Sequence, residues 1–120
     1  MCGTINKKEG SDKMIKKEER LNYKLNNGVL EIKLVGEIDH HNAVNLRVDA
    51  DNLIKQFVPE KVALDLSDIS FMDSSGLGFI MGRASLVQKL GGSLIVKKPS
   101  AGVRKICYLA GLERIINFEK

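Results

Sequence analysis

The sequence predicts an α/β fold in which helices pack on a small mixed β-sheet. Three observations support this prediction. A hairpin pattern comes first, helical and strand patterns then alternate along the chain, and 120 residues with 43% hydrophobic content are enough for one core. Each element is predicted from the local spacing of apolar and polar residues.

The first predicted element is a β-hairpin. The stretches LNYKL and VLEIKLV flank the turn sequence NNG at residues 26–28, and Leu30, Ile32 and Leu34 alternate with charged residues in the second stretch. Alternation with a period of two after an Asn-Gly turn is typical of a hairpin strand.

The second predicted element is an amphipathic helix that ends before Pro59. Asp39 or Asn42 is expected to cap its start, because short polar side chains accept hydrogen bonds from the free N–H groups there. A nearly continuous apolar run at residues 62–66 then predicts a short buried strand. The apolar face of the helix consists of Leu46, Ala50, Leu53, Ile54 and Phe57.

Two further helices and two further extended segments complete the predicted fold. A helix over about residues 77–90 should end at the pair Gly91-Gly92, and its inward residues should be Leu77, Ile80, Ala84 and Val87. SLIVKKP predicts a strand, and IINFEK predicts an extended or helical tail. Between them, SAGVRKICYLAGL predicts a helix with an inward face of Val103, Ile106, Cys107 and Ala110.

Composition argues against an exported or membrane protein. No apolar stretch approaches the roughly 18–20 residues that a membrane-spanning helix needs. Residues 1–20 are polar, rich in lysine and without periodicity, so we interpret them as a flexible lead before a domain at residues 21–120. The lead lacks the apolar core of a signal peptide, so a cytoplasmic location is expected. A second possible start at Met14 stays open.

Charge and cysteine content argue against nucleic-acid and zinc binding. The net charge of +4 is divided evenly, because residues 1–20 hold six basic and four acidic residues and the rest of the chain carries the other +2. No aromatic side chains are interleaved with the basic ones to stack on bases. Cys2 and Cys107 have neither a CxxC partner nor a nearby His, so no zinc site is expected. A disulfide between them is not expected either, because the cytosol is a reducing compartment. Cys107 should be a buried thiol.

An acid and two serines precede the second helix in the stretch FMDSSGLGFIMG, residues 71–82. A serine hydrolase needs a nucleophile on a tight elbow and a general base, but here the glycines follow the serines, and no spacing favours a triad with His40, His41 and Asp39. An ATP-binding loop needs a lysine next to Ser or Thr, and this stretch contains no lysine.

The same serines suit the start of a helix. Asp73, Ser74 or Ser75 should cap it by accepting hydrogen bonds from free N–H groups. A helix N-terminus also tolerates a phosphate, and phosphorylation adds roughly 1.5 to 2 negative charges. A partner that binds the neutral hydroxyl would then be repelled, so the turn would act as a switch without catalysis. The chemistry of these residues does not separate Ser74 from Ser75.

Several motifs together resemble a known family. LVGEIDHHNA is followed about thirty residues later by LDLSDISFMDSSGLGFIMGR, then by GGSLIV and AGLERIINFE. This combination is similar to the STAS domain of anti-sigma factor antagonists, from about residue 21 to the end of the chain. Within that family, GEIDHH and FMDSSGLG are most similar to the branch that serves the sporulation sigma factor F.

The resemblance implies a partner switch that is not an enzyme and has no cofactor. In such proteins the first serine of the D-S-S-G turn, here Ser74, is phosphorylated by the anti-sigma factor, which is itself a kinase that uses ATP. The unphosphorylated antagonist binds the anti-sigma factor and frees the sigma factor. The phosphorylated form lets go, and a PP2C-type serine phosphatase resets it. A STAS module of another stress or signalling pathway is the alternative.

The resemblance also implies which residues face the partner. The turn containing Asp39 and His40 should lie beside the phosphorylated serine, and His41 is carried over with them. No metal is expected there, because adjacent histidines project in different directions and lack a third ligand. The remaining residues expected on the partner-binding surface are Asp73, Ser75, Gly76 and Gly78, with the glycines keeping the turn clear for a kinase.

Three further residues of the second predicted helix are candidates for contacts with a partner. Phe79 and Met81 lie off its inward stripe, so they should form a docking patch or be buried against a neighbouring helix. Arg83, about two turns into the helix, is expected to pair with an acid across the partner interface.

Overall fold

The computed structural model describes residues 20–119, which form a five-stranded sheet covered by three α-helices. The predicted lead, apart from Arg20, and with it Cys2 and Met14, lies outside the described residues. The helices are α1 (Ala43–Phe57), α2 (Ser74–Lys89) and α3 (Ala101–Leu109), followed by a 3-10 turn at Leu112–Arg114. The strands are β1 (Leu21–Asn26), β2 (Val29–Ile38), β3 (Lys61–Met72), β4 (Ser93–Lys97) and β5 (Asn117–Glu119).

The predicted α/β class and mixed sheet are confirmed. The strands lie in the sheet in their order along the chain, with β1 antiparallel to β2 and the other neighbours parallel. The hairpin is also confirmed, because Asn27 and Gly28 have φ values of 54° and 81°, the left-handed conformation that a two-residue turn between twisted strands requires.

The three helices lie on one face of the sheet. Each parallel strand is joined to the next through a helix, and right-handed crossovers that all advance in one direction place their helices on the same side. Alternation along β2 points Leu30, Ile32 and Leu34 into this layer, where all three are fully buried. The other face is polar, and there Lys97 Nζ lies 2.7 Å from Glu31 Oε2.

The strand predicted at residues 62–66 is longer than expected, because β3 continues to Met72. The pairing with β2 shifts register twice after Asp65, so β3 holds extra residues that bulge. Its buried residues beyond Leu66 are therefore Ile69 and Met72, three apart instead of two. Phe71, the residue before Met72, is half exposed.

Helix α2 begins at Ser74, three residues before the predicted start, and its inward face is rotated from the predicted one. Phe79, placed off the inward stripe, is only 3% exposed, whereas Met81 is half exposed. Arg83 is buried as well. The buried positions of this helix are Gly76, Phe79, Ile80, Arg83 and Val87, while Leu77 and Ala84 are partly buried against the core.

The first and third helices match their predictions closely. Helix α1 ends before Pro59, and its predicted stripe is buried or partly buried. Helix α3 buries Val103 and Cys107, but Ala110 follows the helix and is exposed. The tail adds β5 to the sheet edge next to β4, so it is extended and not helical.

Candidate functional site

Two turns follow the carboxyl-terminal ends of neighbouring strands in the sheet. The D-H-H turn (residues 39–41) follows β2, and the D-S-S-G turn (residues 73–76) follows β3. The last residues of these parallel strands, Ile38 and Met72, are paired in register. The backbone N–H of Asp73 donates to the carbonyl of Ile38 at 3.2 Å. The structure therefore brings together the two motifs that the sequence separates.

Both turns stand on a part of the sheet that projects beyond its neighbours. The pairing of β3 with β4 ends at Asp65 and Lys97, whereas β2 and β3 stay paired to their ends. In this two-stranded extension the Ser70 hydroxyl donates to the carbonyl of Gly36 at 3.2 Å. The two turns therefore lie at the end of this extension, beyond the ends of the β3–β4 pairing.

Local hydrogen bonds fix the D-H-H turn. The Oδ1 of Asp39 accepts from the N–H groups of His41 at 2.9 Å and Asn42 at 3.2 Å. In return, the Oδ1 of Asn42 accepts from the N–H of Asp39 at 3.0 Å, and its amide nitrogen donates to the Glu37 carbonyl at 2.8 Å. The N-cap position of α1 is Asn42, but its side chain does not cap the helix, so the predicted side-chain cap by Asp39 or Asn42 is wrong. Asp39 instead holds the turn that leads into α1.

Asp73 caps helix α2. Its Oδ1 accepts from the N–H of Ser75 at 2.8 Å, as expected for an N-cap aspartate. Desolvation, the largest single influence, raises the pKa of Asp73, but hydrogen bonds from the N–H groups of Ser75 and His40 outweigh it and hold the pKa below its usual value. A carboxylate is therefore present at this turn at neutral pH.

The two serines of the D-S-S-G turn differ in exposure. Ser74 is exposed in the first position of α2, whereas Ser75 is partly buried and its N–H is held by Asp73. A phosphoryl donor can approach the first hydroxyl more freely than the second. This distinction depends on the turn geometry and is not available from the sequence.

His40 of the D-H-H turn faces the D-S-S-G turn, and its ring contacts that of His41. His40 Nδ1 lies 3.7 Å from Asp73 Oδ2, and the side chain of His40 is 72% exposed. The rings of His40 and His41 are tilted, with centroids 4.0 Å apart. Asp39, His40, Asp73 and Ser74 therefore form one continuous polar surface, which we call the switch surface.

The two glycines after the serines have different surroundings. A Cβ on Gly76 would lie 2.7 Å from Met72 Cβ, so this residue must be small for α2 to pack on β3. A Cβ on Gly78 would have no neighbour within 4 Å, and Gly78 is exposed. Gly76 thus has a packing role, and only Gly78 lies open beside the switch surface.

An ion pair that the sequence did not predict joins α1 to α2. Arg83 Nε lies 2.6 Å from Asp51 Oδ1, and the guanidinium also donates to the Phe79 carbonyl at 3.3 Å. Burial lowers the pKa of Arg83, and the charge of Asp51 opposes that effect. The expected partner of Arg83 across an interface is thus replaced by an acid of the same chain. An aspartate two turns into an amphipathic helix was the only signal for it.

The described residues contain neither a candidate cluster of metal ligands nor a candidate membrane-spanning helix. Among residues 20–119, no three His, Cys, Asp or Glu side chains lie close enough to hold a metal ion. None of the helices formed by these residues combines the length and apolar character needed to cross a membrane.

Comparison with known proteins identifies the same family on three grounds. The sequence profile of the STAS domain matches residues 20–120. The chain is 38% identical to an anti-sigma F factor antagonist of Paenibacillus polymyxa, over 74% of this chain and 76% of the relative. It is 34% identical to an anti-sigma-B factor antagonist of Bacillus subtilis, over 78% of this chain and 84% of that one.

Solved structures agree with these relatives. The anti-sigma factor antagonist SpoIIAA in its unphosphorylated form matches with a TM-score of 0.71 at 29% identity, covering 83% of this chain and 88% of that one. The phosphorylated form of the Bacillus cell fate determinant SpoIIAA matches with a TM-score of 0.64 at 28% identity, covering 83% and 91%.

Proposed function

This chain belongs to the STAS domain family of anti-sigma factor antagonists, and from that premise we propose that phosphorylation of Ser74 switches it off. The unphosphorylated protein binds an anti-sigma factor and thereby releases a sigma factor. The anti-sigma factor is the kinase that modifies Ser74, and a PP2C-type phosphatase removes the phosphate. Neither catalysis nor a cofactor of the antagonist itself is required.

The observation that carries this proposal is the position of Ser74. Its side chain is exposed at the first residue of α2, next to the carboxylate of Asp73 and beside the D-H-H turn. The turn stands on the projecting ends of β2 and β3. A kinase that is also the binding partner can reach the hydroxyl in the same orientation in which it binds the surface.

Electrostatics explains why one phosphate is enough to separate the partners. The phosphate adds roughly 1.5 to 2 negative charges directly beside the Asp73 carboxylate. An interface formed around the neutral hydroxyl would then have to enclose a strongly negative group next to the Asp73 carboxylate, and such changes cost roughly 2–5 kcal/mol. The added charge lies at a helix N-terminus, where it is compatible with the fold. The switch therefore changes affinity without unfolding the protein.

The residues proposed to contact the partner are Asp39, His40, Asp73, Ser75 and Gly78. Asp39 and Asp73 have their backbone-facing oxygens occupied by local hydrogen bonds, so they are held in place before binding. Gly76 supports this surface from below, because its missing side chain allows α2 to approach Met72. Pre-organised groups of this kind lower the entropy cost of association.

A second candidate is a partner switch in another stress pathway. The relative from Bacillus subtilis, an anti-sigma-B factor antagonist, supports it. Both candidates use the same surface and differ in which anti-sigma factor is bound. Measuring the affinity for each anti-sigma factor kinase of the same genome would separate them.

We expect Ser74→Asp to bind the cognate anti-sigma factor at least about thirtyfold more weakly, by the interface cost given above. Ser74→Ala should bind with near wild-type affinity but stay bound in the presence of ATP. Isothermal titration calorimetry measures both. Ser85→Asp is the matched control, since Ser85 is exposed three turns further along α2. Equal affinities for Ser74→Asp, Ser85→Asp and wild type would contradict the switch.

A further inference from the structure

The two oxygens of the Asp73 carboxylate contact different neighbours. Oδ1 accepts from the N–H of Ser75 at 2.8 Å, and Oδ2 lies 3.7 Å from His40 Nδ1. Within residues 20–119, His40 is the basic side chain within ion-pair distance of Asp73, and the two carry opposite charges when the imidazole is protonated. The imidazole of His40 therefore lies beside Asp73, the residue that directly precedes Ser74.

A phosphate on Ser74 would change the balance of charge at this point. Two adjacent residues would carry roughly 2.5 to 3 negative charges, counting the Asp73 carboxylate. Because Ser74 directly follows Asp73 at the start of α2, the charge of a phosphate there would act on the imidazole that faces Asp73. Because histidine changes charge close to neutral pH, the added negative charge would favour its protonated form.

We infer that His40 is the countercharge of the Ser74 phosphate. It pairs with Asp73 before modification and with the phosphate afterwards, so the D-H-H turn senses the state of the D-S-S-G turn. The inference rests on the proposed phosphorylation of Ser74 and adds a residue that responds to it. His40 is a positioning residue here and has no catalytic role.

The neighbours of His40 set the direction of the effect. Asp73 faces it from the start of α2, and the His41 ring lies 4.0 Å away in the same turn. Asp39 in that turn has its Oδ1 committed to the N–H groups of His41 and Asn42. The negative charges of Asp73 and of a phosphate on Ser74 would favour a protonated His40, whereas a protonated His41 would oppose it.

The test uses protein in which phosphoserine is placed at position 74 during translation, so no kinase is needed. The ring resonances of both histidines are followed by NMR across pH 5 to 9. The titration midpoint of His40 should rise by about 1 pH unit on phosphorylation, from charge–charge energies near a protein surface, and that of His41 should rise by less than half as much. Equal shifts for both rings, or no shift, would overturn the inference.

Two matched variants supply an independent measurement. In the phosphorylated protein, His40→Gln should raise the second ionisation of the phosphate, seen by phosphorus NMR, by roughly half a pH unit, because a nearby cation is lost. His41→Gln, in the same turn, should leave it within about 0.1 unit. Identical phosphorus titrations for the two variants would refute the role of His40.

Failure of the underlying switch would look different. If phosphoserine at position 74 leaves the affinity for the anti-sigma factor unchanged, the proposed function is wrong. If the affinity falls while the His40 titration stays constant, the switch stands and the countercharge inference is wrong.

Discussion

A methyl group added at Gly76 would meet the core, whereas one added at Gly78 would meet solvent. The Cβ at position 76 would come within 2.7 Å of Met72 Cβ, and at position 78 it would have no neighbour within 4 Å. Both glycines lie in α2. Comparing alanine substitutions at the two positions therefore distinguishes the effect of close packing from the conformational cost of glycine in a helix.

We expect Gly76→Ala to lower the free energy of unfolding by about 1–3 kcal/mol through overpacking. Gly78→Ala should raise it by roughly 0.5–1 kcal/mol, because alanine is the better helix former at an exposed position. Urea unfolding followed by circular dichroism measures both. A stabilised Gly76→Ala protein would show that α2 can move away from Met72 freely.

The buried thiol of Cys107 makes the stability of the fold decrease at alkaline pH. Burial raises the pKa of this thiol from 9.0 to about 11. The unfolded chain therefore loses its proton first as the pH rises. The contribution of the buried neutral thiol is complete below about pH 9 and is lost between about pH 9 and 11.

In a Cys2→Ser background, raising the pH from 8 to 10.5 should lower the free energy of unfolding more for the chain with Cys107 than for Cys107→Ala. The difference should be on the order of 1–2 kcal/mol. Denaturant unfolding at the two pH values provides the number. Parallel pH dependences in the two proteins would mean that the thiol ionises equally well in both states.

At the scale of elements, α1 and α2 are joined by a buried ion pair in place of an apolar contact. Arg83 is 7% exposed and lies 2.6 Å from Asp51. Its guanidinium also packs 5.3 Å from the centre of the Phe79 ring. This arrangement fixes α2 against α1, and the first turn of α2 carries Ser74.

Asp51→Ala should destabilise the protein by about 3 kcal/mol, because it leaves the charge of Arg83 buried and unpaired. Adding Arg83→Leu should recover part of that loss, since no charge remains to be solvated. Thermal unfolding of the two single variants and the double variant gives the coupling energy. Asp68→Ala, which breaks the exposed pair with Lys33, is the control and should leave the unfolding temperature nearly unchanged. Additive losses at Asp51 and Arg83 would argue against a coupled pair.

At the scale of the whole molecule, local patterns predicted the order of elements but not every boundary. The NNG hairpin and the face of α1 follow from periodicity, and both are confirmed. The second half of β3 was not predicted, because bulges change the spacing between its buried residues from two positions to three. The buried face of α2 was predicted incorrectly, because a buried arginine occupies one of its inward positions.

The candidate site, too, could be predicted only in part from local sequence patterns. Asp73 was predicted as a possible cap from residue chemistry alone, and the structure confirms it. The contact between the D-H-H and D-S-S-G turns depends on the parallel pairing of β2 with β3, which no local pattern reports. Only the family resemblance placed the two turns side by side. The roles of these residues in binding, the cytoplasmic location and the phosphatase stay predictions.

The most direct test of the switch is an intact-mass measurement with peptide mapping, after incubation of the protein with ATP and the anti-sigma factor of the same genome. We expect one added phosphate on Ser74 and none on the partly buried Ser75. The Ser74→Ala protein should remain unmodified under the same conditions. No added mass in the presence of an active kinase, or a phosphate on another residue, would contradict the account.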